Sequence, residues 1–127
     1  MRDYHRLLVW TRAHQLTVEV YRLTGSYPRD ERFGLTAQMR RAAASIPTNI
    51  AEGAGRPSDS EFARFLGIAA ASVQELHYQL ELSKALGFGG IEANDALLRE
   101  AAEIRAMITA LRSKVIRGSN RPGGNAS

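Results

Sequence analysis

Apolar residues recur at steps of three and four along most of this sequence, which is the spacing of helices that pack one face against other helices. The most informative stretch, residues 38–56, carries a proline near its middle. An interior proline costs a helix about 3 kcal/mol in isolation, yet the apolar period stays in phase on both sides of Pro47. We therefore predict one continuous helix that is kinked at Pro47. Its apolar face is formed by Met39, Ala42, Ile46, Ile50 and Gly53.

The same periodicity predicts four helices. They span residues 5–24, 29–53, 59–86 and 92–117. Gly25 is expected to end the first helix in a left-handed conformation, and Phe33 and Leu35 are expected to continue the apolar face of the second. Ser58 and Glu61 form a capping box in front of the third helix. No strand pattern competes, so the predicted fold class is all-α: an antiparallel up-down-up-down four-helix bundle with long helices.

Length and composition indicate one soluble domain. The chain of 127 residues is long enough to bury a sizeable core, which we place in residues 1–117. Residues 118–127 are rich in Gly, Asn, Ser and Pro, and we predict a disordered C-terminal tail there. The sequence has no cysteine, which excludes disulfides and thiolate metal sites. Because it has no signal peptide and no apolar run of the ~20 residues that span a bilayer, we expect a cytoplasmic protein without membrane contact.

The positive charge is concentrated in the first half of the chain. The 17 Lys and Arg residues exceed the 13 acidic residues by a net charge of +4, and residues 1–57 hold nine arginines against five acids. Arginine predominates among the basic residues, and its planar fork suits phosphate and carboxylate groups. The alternative is that the arginine content only reflects a GC-rich genome. The candidates for phosphate contacts are Arg12, Arg22, Arg40 and Arg56.

A polar face runs along the proline-containing helix beside its apolar face, and the third helix carries a matching one. We call the two together the polar stripe. It comprises Gln38, Arg41, Ser45, Asn49 and Glu52 on the second helix, and Ser72, Glu75 and Gln79 on the third. Buried polar groups of this kind persist only when they are paired. We therefore expect hydrogen bonds across a helix pair, or across the contact between subunits of an oligomer, in preference to a ligand site.

Two adjacent arginines of the second helix point about 100° apart, so they cannot share one task. Our hypothesis is that Arg41 is tied internally to Glu52 or Glu75, whereas Arg40 faces solvent or a ligand. The alternative is that both side chains are solvated.

The search for catalytic chemistry is negative. Di-iron bundles need Glu-x-x-His pairs, whereas Glu75 and His77 lie only two apart and cannot both face one metal. The Gly53–Gly55 segment lacks the rest of a phosphate-binding loop. Trp10 and Tyr21 fit the flank of the core better than a site for stacking bases. We expect no enzymatic activity, no metal and no cofactor.

The stretch Leu35-Thr-Ala-Gln-Met-Arg-Arg-Ala-Ala-Ala-Ser-Ile-Pro-Thr-Asn-Ile-Ala-Glu-Gly-Ala-Gly-Arg56 resembles the signature of a bacterial four-helix-bundle family. That family was first noted in open reading frames within 23S rRNA intervening sequences and is often labelled S23 ribosomal protein. The resemblance extends over residues 4–116, for example through Leu8-Val-Trp10 and Phe33-Gly34-Leu35. It implies an antiparallel four-helix bundle that forms a homopentameric ring.

The family is similar to the accessory protein of diversity-generating retroelements, a basic pentamer that binds nucleic acid and a reverse transcriptase. Two functions are therefore open. The first is a homo-oligomer that binds RNA or DNA through arginines on its first two helices. The second is a structural or adaptor module that binds a protein partner, such as a reverse transcriptase, with the polar stripe as its oligomer interface. Arginines clustered on one exposed face would favour the first, whereas scattered or salt-bridged arginines would favour the second.

Overall fold

The structure, a computed structural model, describes residues 2–119 and confirms the all-α prediction. Its helices are α1 Leu8–Thr24, α2 Leu35–Ala54, α3 Asp59–Ala85 and α4 Ile91–Ser119, with short 3-10 turns at Tyr4–Arg6 and Arg29–Glu31. Each helix packs against the next one along the chain, and α4 packs against α1. The four helices therefore form an up-down-up-down bundle around one core. None of the helices in the described part of the chain is long and apolar enough to cross a bilayer.

The predicted second helix is interrupted near its start. Arg29–Glu31 form a separate 3-10 turn, and α2 begins only at Leu35. Gly34 lies between them with φ −107° and ψ −115°, a conformation that breaks the helical phase. Phe33 therefore falls outside the helix and is 86% exposed, so the prediction that it belongs to the core is wrong.

The other helix ends differ from the predictions by a few residues. Leu7 is extended and separates the Tyr4–Arg6 turn from α1. Gly25 has φ −61°, so the predicted left-handed cap is wrong. The helix α4 runs on through Gly118 and Ser119, which we had assigned to the tail. The rest of the predicted disordered tail, residues 120–127, lies outside the described residues.

The predicted apolar positions form the core. The apolar face of α2 is buried along its whole length, and it meets the corresponding faces of the other three helices. The largest fully buried side chains are Phe62, Leu16, Met39, Ile46, Ile50, Leu66, Leu76, Leu80, Ile104 and Ile108. The Ser58 half of the capping box forms as well, since the Glu61 amide donates to the Ser58 hydroxyl at 3.2 Å, and that hydroxyl lies 3.1 Å from the Glu61 carboxylate. Periodicity was therefore sufficient to predict the buried face of α2 from Met39 to Gly53.

The helix α2 continues through Pro47, as predicted, and α1 supplies a hydrogen bond that the proline cannot make. Because Pro47 has no amide hydrogen, the carbonyl of Ala43 lacks its i+4 donor. The Thr17 hydroxyl of α1 lies 3.0 Å from that carbonyl and 2.9 Å from the carbonyl of Ala13. Ala43 is fully buried, so no water can take the place of this donor.

The C-terminal end of α2 packs very closely against the start of α3. A Cβ atom added at Gly53 would lie 2.7 Å from Phe65 Cβ and 3.0 Å from Phe62 Cδ1. Contacts this short do not occur between real carbon atoms, so only glycine permits this approach of the two helices. Arg2 secures the same end of the bundle, because it pairs with Asp59 and lies over the Phe62 ring at 4.5 Å.

The opposite end is held by a buried polar cluster. The hydroxyls of Tyr27 and Ser83 hydrogen-bond to each other, and the Asn94 side chain donates to the carbonyl of Phe88 at 2.7 Å. Burial raises the pKa of the Tyr27 phenol above its ordinary value. These contacts fix the connection between α3 and α4 against α1.

We predict that Thr17→Val lowers the free energy of unfolding by about 1–3 kcal/mol, since it leaves the buried Ala43 carbonyl without a donor from α1. Thr11→Val makes the same chemical change at an exposed position of α1 and should cost less than about 0.5 kcal/mol. Urea denaturation followed by circular dichroism measures both. Equal losses in the two variants would refute the role given to Thr17.

We also predict that Gly53→Ala destabilises the bundle by about 1–3 kcal/mol, because the added methyl group overpacks the contact between α2 and α3. The control is Gly55→Ala, whose Cβ would approach nothing closer than 3.6 Å at an ordinary φ of −82°. Thermal unfolding should separate the two variants clearly. If Gly53→Ala unfolded at the same temperature as Gly55→Ala, the close approach would not be a constraint.

Candidate functional site

The four arginines proposed for phosphate contacts do not form one surface. Arg12 reaches from α1 to α4, where its guanidinium holds both carboxylate oxygens of Glu100 at 2.6 and 2.9 Å and Glu103 at 2.8 Å. These hydrogen bonds raise the pKa of Arg12, and the bonds to Glu100 contribute more than the bond to Glu103. The pair α1 and α4 packs least extensively of the four neighbouring pairs, so Arg12 closes the bundle where apolar contact is sparse.

The other three candidate arginines also have partners within the chain. Arg40 is half-buried: it lies over the Tyr21 ring at 4.7 Å and donates to the Thr24 hydroxyl at 2.9 Å, so part of its guanidinium is occupied within the chain. Arg22 pairs with a carboxylate of its own helix at 2.9 Å. Arg56 pairs with Glu52 at 3.2 Å and lies over the ring of an α3 phenylalanine. A nucleic-acid role for these residues stays a prediction.

The polar stripe lies along the contact between α2 and α3. The hydroxyls of Ser45 and Ser72 hydrogen-bond to each other across that contact, as the matching polar periods predicted. Asn49 instead turns back along its own helix and donates to the Ser45 carbonyl at 2.8 Å. Glu52 is held by Arg56, as described above. At the centre of the stripe, a side-chain hydrogen bond therefore links α2 to α3. The other stripe residues described in this paragraph do not bond across the two helices.

Arg41 does not have the carboxylate partner that we expected. It is exposed and forms no ion pair with any described residue, so the hypothesis that it is tied to Glu52 or Glu75 is wrong. Glu52 lies 11 residues further along α2, which is about 16 Å at 1.5 Å per residue and beyond its reach. Glu75 is also exposed, and its only described partner is the Gln79 amide nitrogen at the long distance of 3.5 Å.

One end of the stripe contains a buried acceptor without a donor. Gln79 is only 5% exposed, and its Oε1 atom has no hydrogen-bond partner among the described residues. The amide is oriented by Glu75, which requires the nitrogen to point toward the carboxylate. Gln38 is exposed on the same face of the helix pair, and its side chain makes no hydrogen bond with a described residue. This end of the stripe thus combines two unpaired charges of opposite sign with an unsatisfied amide oxygen.

A groove between α1 and α2 carries the main aromatic cluster, and sequence reasoning missed it. Its volume is about 600 Å³, and its walls include Tyr4, Trp10, His14, Pro47 and Glu52. The Trp10 and His14 rings stack with their centroids 5.1 Å apart, and Tyr4 meets the edge of Trp10 at 5.0 Å. The spacing of these rings was a signal that could have revealed the groove. It was overlooked because Trp10 was treated as a flank of the core.

The described residues do not assemble a catalytic or metal-binding cluster. They contain no group of three or more His, Asp or Glu side chains that could hold a metal ion. A second groove, between α3 and α4, has a volume of about 650 Å³ and is lined mainly by small side chains. This groove contains one histidine, His77, whose Nδ1 atom lies 3.6 Å from Oε1 of Glu81 on the same helix. Neither groove pairs a nucleophile with a base.

Comparison with known proteins identifies the family. The sequence matches the family model of the 23S rRNA-intervening sequence proteins over residues 5–110. No protein with a curated description matches it. The fold is similar to the crystal structure of a protein of unknown function from the S23 ribosomal protein family of Bacteroides thetaiotaomicron VPI-5482, with a TM-score of 0.75 and 22% identity, covering 83% of this chain and 98% of that chain. Since the family model spans most of the sequence, the chain belongs to the 23S rRNA-intervening sequence protein family.

Proposed function

We propose that the protein is a non-enzymatic assembly module whose copies associate through the polar stripe. The observation that carries the proposal is the pair of opposite, exposed and unpaired charges, Arg41 and Glu75, on one face of the bundle. In a symmetric contact between two copies, the Arg41 of each would meet the Glu75 of the other. A surface of this kind is self-complementary, which is what a two-fold contact requires.

The buried amide oxygen of Gln79 supports the same surface. Exposed charges alone are ordinary on a protein, but a buried acceptor without a donor costs about 1–3 kcal/mol. Native structures contain few such groups, and a water molecule or a partner can supply the missing hydrogen bond. Arg56 Nε and Asn94 Oδ1 are also without a partner among the described residues. The Gln38 amide of a second copy carries two donors on the same face, and it would reach this oxygen only after the Gln79 side chain turns outward, since the oxygen is buried in the single chain.

The state of the arginines argues against a phosphate-binding surface. A phosphate contact needs a guanidinium that is free to meet the ligand, whereas Arg12 is held by two carboxylates of α4. Arg22 and Arg56 each pair with an acid of their own helix at the surface, and exposed pairs of this kind are weak. Arg40 points toward α1 and is packed against Tyr21. Breaking Arg12 away from Glu100 would also cost the bundle a contact between α1 and α4.

The stripe contact is tested by reversing its charges. We predict that Arg41→Glu and Glu75→Arg each lower the mass measured by light scattering at low salt, because each places like charges opposite one another. The double variant Arg41→Glu/Glu75→Arg should regain the mass of the unmodified protein, since it restores both pairs with their signs exchanged. Neither single change removes an ion pair between described residues. Because Glu75→Arg does remove the 3.5 Å hydrogen bond from the Gln79 amide, circular dichroism is used to check that each variant keeps the helix content of the unmodified protein.

The matched control for this series is Arg99→Glu, which reverses an exposed charge on α4, away from the stripe. It should leave the mass unchanged. Single variants that assemble like the unmodified protein would rule out the stripe as the interface. An unmodified protein that is monomeric at every concentration would rule out self-association altogether.

A binding assay distinguishes the proposed assembly function from the competing nucleic-acid function. We predict that labelled structured RNA and duplex DNA bind no tighter than about 10⁻⁶ M at physiological salt, the limit of ordinary non-specific binding, in fluorescence anisotropy. Arg22→Ala, which frees no other group that the bundle needs, should not change the result. Tighter binding that weakens steeply with salt and is lost in Arg22→Ala would establish the phosphate-contact function instead.

A further inference from the structure

The groove between α1 and α2, which we call the aromatic groove, is built on rings that hold one another in place. Trp10 and His14 lie one turn apart on α1, and their rings stack nearly parallel, at an interplanar angle of 6°. Tyr4 meets the edge of Trp10 and stacks on His5, with the ring centroids 4.1 Å apart. Nδ1 of His5 lies 2.9 Å from a carboxylate oxygen of Asp3. The groove is therefore already shaped in the single chain. We call Tyr4, Trp10 and His14 the ring cluster.

The α2 side of the aromatic groove is apolar in its middle and acidic at one end. Pro47 and Ala51 lie in the middle, and Glu52 lines the groove beside them. The described residues that line the groove include no lysine and no arginine. Its volume of about 600 Å³ lies within the range of roughly 300–1,000 Å³ that is usual for small-molecule sites. The groove thus offers aromatic surface and one negative charge.

The Glu52 carboxylate can bind a second cation in addition to Arg56. Its Oε2 atom accepts a hydrogen bond from Arg56 at 3.2 Å, whereas its Oε1 atom has no hydrogen bond with a described residue. The two side chains are about half-exposed and four residues apart, and ion pairs of this kind are weak. Because a carboxylate has acceptor sites for about four hydrogen bonds, it can hold both cations at once.

The shape and charge of the groove favour a planar cation over other ligands that stack on aromatic rings. A guanidinium is flat, stacks on aromatic faces and donates to a carboxylate through a rigid fork. A nucleotide would also stack, but it would bring phosphate groups close to Glu52 with no lining lysine or arginine to balance them. A quaternary ammonium ion is held best inside a cage of rings, whereas Trp10 and His14 lie parallel and do not enclose a ligand.

We propose that the aromatic groove binds a guanidinium group, which stacks on the ring cluster and donates to Glu52. The group belongs either to a free small molecule or to an arginine side chain of a peptide, and the chemistry of recognition is the same for both. This site uses neither Arg41 nor Glu75. It therefore goes beyond assembly through the polar stripe and does not depend on it.

Trp10 reports binding directly, since it is the single tryptophan of the chain and lines the groove. The probe is N-acetyl-L-arginine amide, whose only charge is its guanidinium. The control is N-acetyl-L-citrulline amide, which has nearly the same shape and no charge. We predict that Trp10 emission changes saturably with the arginine compound at constant ionic strength. The citrulline compound should bind about tenfold more weakly, because it loses both the cation–π contact and the charge-assisted hydrogen bonds.

Two variants at exposed positions of α2 test the contact with Glu52 without disturbing the core. Glu52→Gln should weaken binding of the arginine compound by about fivefold and leave the citrulline compound unaffected. Thr48→Arg lies one turn before Glu52 in the groove, so its own guanidinium should compete with the probe. The matched control is Glu81→Gln on α3. Glu81 is 58% exposed against 53% for Glu52, and it also pairs with a residue four positions away, so this change should have no effect.

A further comparison distinguishes the two sources of the guanidinium. Free L-arginine carries an ammonium and a carboxylate that the blocked compound lacks. Tighter binding of free arginine would assign the groove to a small molecule, and tighter binding of the blocked compound would assign it to a side chain within a peptide. Equal binding would mean that the guanidinium alone is recognised.

Three results would overturn the proposal. One is the absence of a saturable change in Trp10 emission, or an equal change with the citrulline compound. Another is a Glu52→Gln protein that binds the arginine compound as tightly as the unmodified protein does. The third is an emission change that occurs only together with a change in mass by light scattering, which would place the effect on assembly. The first two can occur whether or not Arg41→Glu changes the mass, so failure of this site and failure of the stripe contact are distinguishable.

Discussion

The hydrogen bond from Thr17 to the carbonyl of Ala43 is the contact on which the rest of the structure depends, because it compensates for the amide that Pro47 lacks. With that donor in place, α2 keeps one apolar face buried from Leu35 to Gly53. The polar stripe then borders α2 on one side and the aromatic groove on the other. If α2 ended at Pro47, the polar stripe and the aromatic groove would not keep a fixed position relative to each other. Pro47 and Thr17 therefore act as a structural pair.

Closure of the bundle explains where the arginines are used. The helices α1 and α4 pack less extensively than the other neighbouring pairs, and Arg12 bridges them by binding two carboxylates of α4. Arg40 covers the seam between α1 and α2 in a similar way, and Arg56 covers the end of the seam between α2 and α3. Arginine has a long apolar stem and a flat charged head, so it suits such seams without any ligand. On the stripe, Arg41 and Glu75 are exposed and form no ion pair with a described residue, and these two carry the proposed function.

Much of the fold could be predicted from the sequence, because burial follows the helical period closely. The buried face of α2, the capping box at Ser58 and the passage through Pro47 are all local or periodic features. The candidate site was harder to predict from the sequence. Phe33 kept the right phase for a core position, but Gly34 broke the helix after it. Whether Arg12 and Arg41 find a carboxylate partner depends on which helices become neighbours and on how far each helix is shifted along its axis relative to the next. The spacing of residues within one helix does not encode either property. The aromatic groove likewise combines residues of three separate segments.

The most direct test of the account is the distance between stripes in the assembled protein. The chain has no cysteine, so Gln38→Cys accepts a single spin label on the stripe, and any distance measured by double electron–electron resonance lies between copies. The account predicts a narrow distance, well below the ~43 Å length of the 29-residue α4, that is lost on adding Arg41→Glu. An assembly that shows no defined distance, or one that Arg41→Glu leaves unchanged, would contradict association through the polar stripe.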